Sequence, residues 1–171
     1  MLAFGVAVIA SAVLLVPATM NYLELYSALS HIYLRVNSVN IHNSSLDATS
    51  NPRVVVSANL SLFHNSSYVG LKVFSVDIVV YYGEQPEVLL QTRFWLGDTV
   101  IMPFSSLDLQ MSETSVYNPS RFLEYNNQAR ARGEPVTLGF SSFANLYILG
   151  NAFPERVDLE DVSYQMLSYV S

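Results

Sequence analysis

Residues 53–64, RVVVSANLSLFH, set apolar side chains at every second position. Val54, Val56, Ala58, Leu60 and Leu62 share one side, and Arg53, Ser57, Asn59 and Ser61 share the other, with Val55 and Phe63. Period two with one polar face is the signature of a half-buried strand. A helix would spread the same residues around its axis, so this stretch must pair into a sheet. The pattern recurs along the chain. In 71–82, Phe74, Val76, Ile78, Val80 and Tyr82 fall in phase, with Ser75 and Asp77 opposite. In 87–96, Val88, Leu90, Thr92, Phe94 and Leu96 do so against Gln91 and Arg93. Gly83-Glu84-Gln85-Pro86 between these runs reads as a hairpin connection, and Gly97-Asp98 as the next turn.

Four further runs complete the pattern. Residues 33–42 change parity between Val36 and Val39, which predicts a bulge. Residues 104–116 carry Leu107, Leu109 and Met111, and 135–149 carry Val136, Leu138, Phe140, Ala144, Leu146 and Ile148. Residues 156–169 slip phase between Leu159 and Val162. One segment differs. Asn118-Pro119 opens SRFLEYNNQARAR, which closes on Gly133. Asn at the N-cap, Pro at the first helical position, Arg130 and Arg132 in the last turn and Gly beyond it predict a short helix. The expectation is a mainly β fold, an antiparallel immunoglobulin/fibronectin-like sandwich of about seven strands, with the helix before the last two.

A different material precedes this body. No charged side chain occurs before Glu24, and MLAFGVAVIASAVLLVPATM is almost wholly apolar. A bilayer span needs ~20 apolar residues. Tyr22 and Tyr26 suit the interfacial belt, and Pro17 lies near the far end of the run. Residues 1–30 therefore read as an amino-terminal transmembrane anchor and juxtamembrane segment, and 31–171 as an extracytoplasmic domain. A cleaved secretory signal and a buried core helix are the competing readings. The signal lacks a basic n-region, although Ala10, Ala12 and Ala18 offer small residues near a cut. The core helix lacks a polar face. Small residues Gly5, Ala7, Ala10 and Ala12 would let a neighbouring helix approach the span closely.

The chain holds no cysteine among its 171 residues, which excludes a disulfide framework, thiolate metal sites and a cysteine nucleophile. A net charge of -6 without a basic cluster argues against nucleic acid. Three sequons lie close together, at Asn43, Asn59 and Asn65. Each accepts a glycan only if translocated and exposed. His31, His42 and His64 show no ligand spacing and read as surface or cap residues. Asp158, Glu160 and Asp161 suit a hard cation by chemistry, but read more simply as a solvated strand edge. Asp77 inside an apolar strand reads as outward-facing, or as ion-paired with Lys72 or an arginine. Trp95, Phe94, Tyr81 and Tyr82 read as a hydrophobic groove or, more simply, as core and cross-strand aromatics. No Gly-x-Ser-x-Gly elbow or phosphate loop occurs, and no nucleophile, base and stabiliser come together. The expectation is a protein without enzymatic activity, cofactor or metal.

Three stretches carry a family resemblance: YLRVNSVNI, then RVVVSANLSLFHNSSYVGLKVFSVDIVVYYGE, then VTLGFSSFANLYILGNAF followed by VDLEDVSYQM. Their order resembles the group-two late-embryogenesis-abundant fold, the water-stress and hypersensitive-response (WHy) domain, over nearly all of 32–169. His64-Asn65-Ser66-Ser67 stands where that family usually has Asn-Pro-Asn. The resemblance implies a non-enzymatic, stress-protective or lipid-binding module on a single-pass membrane anchor. An apolar ligand would then sit between the sheets, against Phe74, Ile78, Leu90, Phe94 and Phe140. The alternative is a structural subunit of a cell-surface assembly or membrane complex. Partners would be membrane lipid through the span and other membrane or surface proteins, with the domain lumenal, vacuolar or at the cell surface.

Overall fold

The computed structural model describes residues 2–43, 53–115, 117–148 and 153–166; for 2–12, 14, 17, 18, 43, 148, 153 and 154 the description is of the backbone alone. Among these residues the chain forms two helices and seven strands. The order is α1 (Leu2–Leu29), β1 (Ile32–Asn43), β2 (Val54–His64), β3 (Leu71–Tyr82), β4 (Glu87–Ile101), β5 (Ser105–Thr114), α2 (Pro119–Arg132), β6 (Val136–Ile148) and β7 (Phe153–Met166). The strands form two antiparallel sheets, β1-β2-β5 and β4-β3-β6-β7.

Burial follows the period-two pattern. Val54, Val56, Ala58, Leu60 and Leu62 from one sheet enter the same core as Val76, Ile78, Val80, Leu138, Phe140 and Leu146 from the other. Each such Val, Leu, Ile or Phe side chain contributes ~1.5–3 kcal/mol on leaving water, so no disulfide is needed for a body of this size. The predicted bulge is present, and the phase slip in the last strand is a second one. Asn37 is the extra residue where β1 slips against β2, between Val36 and Ser38. Glu160 and Asp161 stand opposite Ser141 alone, between Phe140 and Ser142.

Three local expectations are corrected. Gly97-Asp98 is not a chain reversal. β4 runs on to Ile101, and Leu96, Gly97 and Asp98 bulge out opposite the single residue Phe74. Gly97 supplies the left-handed conformation there (φ 51). The bulge moves Phe74 out of phase with Val76 and Ile78, so Leu71 and Val73 are the inward residues before it. Asn118 holds the N-cap position but makes no side-chain cap bond; its carbonyl accepts from the N–H groups of Arg121 (3.1 Å) and Phe122 (3.3 Å). Pro119 and Gly133 play their expected parts. The Gly133 N–H closes on Arg130, and that of Glu134 on the Ala129 carbonyl at 2.9 Å.

The two ends of the sandwich differ. At one end, α2 lays Phe122 and Ala129 on the core, and Tyr82 meets Phe122 edge-on at 5.2 Å. At the other lie the end of α1, the β2–β3 connection (65–70) and the β4–β5 connection (102–104). Among the described residues no helix is long and apolar enough to cross a membrane.

Candidate functional site

The last turns of α1 are seated on the sandwich. Leu25 and Ala28 are buried, and Leu29 packs against the core. The helix end is closed by its own side chains. Ser30 Oγ donates to the Ser27 carbonyl at 2.7 Å, and His31 Nδ1 lies 2.6 Å from the same oxygen. The His31 carbonyl then accepts from the Asn65 N–H at 3.0 Å, which ties the helix exit to the β2–β3 connection.

Between the foot of α1 and the edge strand β7 opens a cleft of about 710 Å³. Tyr22, Tyr26, Leu29, Tyr33 and Val157 give it apolar and aromatic walls, and Glu155, Asp158 and Glu160 an acidic rim. Its one arginine, Arg156, is already engaged. Nε donates to Asp158 at 3.2 Å, and the guanidinium lies 3.5 Å from the centre of the Phe143 ring. The rim thus stays net negative. Ligand pockets commonly enclose ~300–1,000 Å³ with apolar walls and a few polar groups. This one suits an apolar chain with a neutral or cationic head, and repels an anionic one.

The outer face of the four-stranded sheet is a second concentration of chemistry. Asp77 faces outward, as its parity predicts, yet its side chain is only 3% exposed. Arg93 Nε donates to Oδ1 at 2.5 Å, and Asn145 Nδ2 donates to Oδ2 at 3.0 Å and to Ser75 Oγ at 2.9 Å. Arg93 lies over the Trp95 ring at 5.1 Å. Phe74, turned outward by the bulge, meets Trp95 and Tyr147 edge-on at 5.2 and 5.4 Å. Trp95 remains 64% exposed. Further along, the Tyr81 ring lies across Gly139, where a Cβ would come within 1.9 Å of it. The Tyr81 hydroxyl bonds Asp161 on β7; burial first, and that carboxylate second, push its pKa up. The three-stranded sheet shows a different outer face, of amides and hydroxyls. Ser57 and Ser112 pair at 3.0 Å, and Asn59 donates to Ser38 Oγ at 3.0 Å.

The residues singled out from sequence scatter between these places. Of the five expected to line an apolar groove, Ile78, Leu90 and Phe140 are fully buried and Phe94 packs against the same core, while Phe74 belongs to the opposite face of its sheet. They do not line one space. The side chains of Gly5, Ala7, Ala10 and Ala12, and of Asn43, lie outside the described ones. Asn59 and Asn65 are exposed, on β2 and in the β2–β3 connection. His31 is a helix-end residue and His42 is exposed, but His64 is fully buried, contrary to the surface expectation. Its Nδ1 donates to the Met102 carbonyl (3.3 Å), and Nε2 lies 2.7 Å from Ser66 Oγ. One imidazole thereby joins both connections at that end. Asp158, Glu160 and Asp161 are exposed on the edge strand, and among the described residues no three side chains gather as metal ligands. The cleft was not legible beforehand, because its walls come from residues more than a hundred positions apart.

No protein-family profile matches the chain, and no curated protein does. Among solved structures, a protein from Archaeoglobus fulgidus is similar at 12% identity, over 77% of this chain and 98% of that one, with a TM-score of 0.38. An ApaA protein from Bordetella pertussis is similar at 14% identity, over 79% and 94%, with a TM-score of 0.43. Likenesses this distant carry nothing about function.

Proposed function

We propose that this chain is a membrane-anchored β-sandwich module that acts by binding rather than catalysis, and that it holds a lipid-like apolar ligand in the cleft at the foot of α1. The carrying observation is the helix itself. Val13, Leu15, Val16, Met20 and Leu23 are all exposed along it, and the first charge of the chain is Glu24. A helix apolar all round needs a non-aqueous neighbour. The uncharged run of residues 1–20, most of whose side chains lie outside the described ones, would supply the ~20 apolar residues that the described part of the helix lacks. Lettering the strands A to G puts A-B-E in one sheet and the fourth strand beside C-F-G, as the C′ strand lies in variable-type immunoglobulin domains. That order supports the immunoglobulin/fibronectin-like reading and is compatible with the WHy-type one, under which the domain would stand outside the cytoplasm. The filled interior moves the ligand from between the sheets to the cleft, where lipid would be at hand.

Native mass spectrometry of the full chain, released from its membrane in mild detergent, tests the reading. A bound lipid is expected, lost in Val157→Lys. A clean apo mass in several detergents, or recovery of the chain without membrane, overturns it. A second reading, a structural subunit of a membrane or surface assembly, is favoured by the exposed Trp95 beside the Arg93–Asp77 pair. Crosslinking through that face in intact membranes would trap a defined partner if it holds.

A further inference from the structure

We infer that the β2–β3 and β4–β5 connections form a second membrane contact, dipping their apolar tips into the interface of the bilayer that α1 enters. This rests on the anchor reading above and adds to it a stance for the domain. The two connections read Asn-Ser-Ser-Tyr-Val-Gly (65–70) and Met-Pro-Phe (102–104), and neither contains a charged residue. Val69 is 72% exposed, Met102 61% and Phe104 69%. Single exposed apolar residues are ordinary. Three large ones on two separate connections, at one end of a sandwich, are a surface. At the other end the β3–β4 turn is Gly-Glu-Gln-Pro and α2 is polar outward.

Backbone conformation points the same way. Phe104 has φ 52, in the left-handed region, where a bulky side chain is uncommon and glycine or asparagine is the usual occupant. An aromatic residue kept at a strained tip position suggests that its side chain has a use. The two tips are also held as one body. His64 bonds the Met102 carbonyl and Ser66, Ser66 Oγ accepts the Tyr68 N–H at 3.2 Å, and Ser105 Oγ donates to the Met102 carbonyl at 2.7 Å. Ile32 pairs with His64, so both connections start level with the exit of α1. Tyr22 and Tyr26, suited to the headgroup layer, lie within two turns of that exit. A bilayer reaching the helix therefore reaches the tips.

The chain's lack of cysteine makes the test direct, because each introduced thiol is unique. Nitroxide labels are placed on Val69→Cys, Met102→Cys and Phe104→Cys in the full chain, reconstituted in phosphatidylcholine vesicles. Leu15→Cys reports the span, and Gln85→Cys the far end. The readout is collision with oxygen, which concentrates in lipid, against collision with a water-soluble nickel chelate. The oxygen preference at 69, 102 and 104 is expected to lie several-fold above that at 85 and below that at 15. Aqueous values at the three tips with a lipid value at 15 overturn this contact and leave the anchor standing. An aqueous value at 15 removes both. Tip labels shielded from both colliders, or broadened by a neighbouring label, indicate a protein partner or a second copy and also overturn it.

Discussion

Arg93 Nε and Asp77 Oδ1 lie 2.5 Å apart across β3 and β4, with the carboxylate almost fully buried on what is nominally the outer face of the sheet. The guanidinium also lies over the Trp95 ring, and the carboxylate takes a second bond from Asn145, so the buried charge is held by groups from the strands on both sides. Removing one partner of such a pair leaves a desolvated charge behind. Arg93→Ala should cost about 2–3 kcal/mol in urea unfolding, somewhat under the fully buried range because the arginine is half exposed. Asp77→Asn leaves no buried charge and should cost less. The double variant should cost less than the sum of the two single ones, and strict additivity would mean that the two groups are not coupled.

Gly139 and Tyr81 form a similar cross-strand dependence without charge. A methyl group at 139 displaces the ring, and with it the bond to Asp161. Gly139→Ala and Tyr81→Ala should each destabilise by roughly 1–2 kcal/mol, a typical size for lost packing plus one hydrogen bond. The double variant should be little worse than either. Thermal melts of the three proteins decide this.

Ser142 offers a gain. It lies inward between Ile78 and Leu159, and its Oγ is buried without a hydrogen-bond partner among the described residues. Ser142→Ala removes the orphan hydroxyl and should stabilise by about 1 kcal/mol, the desolvation cost of such a group less a little packing. A lowered unfolding midpoint would show that the hydroxyl is satisfied in solution.

The alkaline limb of stability should depend on Tyr82. Burial first, then the hydrogen bond to Glu87 and its charge, push the phenol up to about 12, against a small opposing pull from Arg121. In the unfolded chain the phenol returns to about 10. Between these values the folded form holds the proton that the unfolded form has lost, so unfolding releases it. The stabilisation is complete below pH 10 and disappears as pH rises through 12. Tyr82→Phe should be less stable at neutral pH, through loss of the 2.9 Å bond to Glu87, and should lose less between pH 10 and 12 than the wild type. Parallel melting curves over that range would contradict the assignment.

Much of the fold is legible along the chain, because one-sided burial of a strand leaves its mark at every second residue. The parity changes at Asn37 and at Glu160-Asp161 mark bulges because polar residues flank them. The one at Phe74 leaves no such mark. It falls inside a run where either phase places apolar residues inward, and Gly97 opposite it carries the same signal as a turn. Asp77 shows its face but not its burial, which Arg93 and Asn145 supply from other strands. His64 and the cleft beside β7 are likewise products of pairing, since their partners are distant in sequence.

The position of α2 makes the two ends of the sandwich unlike: among the described residues the end remote from α1 carries its polar outer side, and the end at α1 carries the uncharged connections. If the cleft holds the lipid proposed above, the edge strand β7 is the wall that such a ligand would pass.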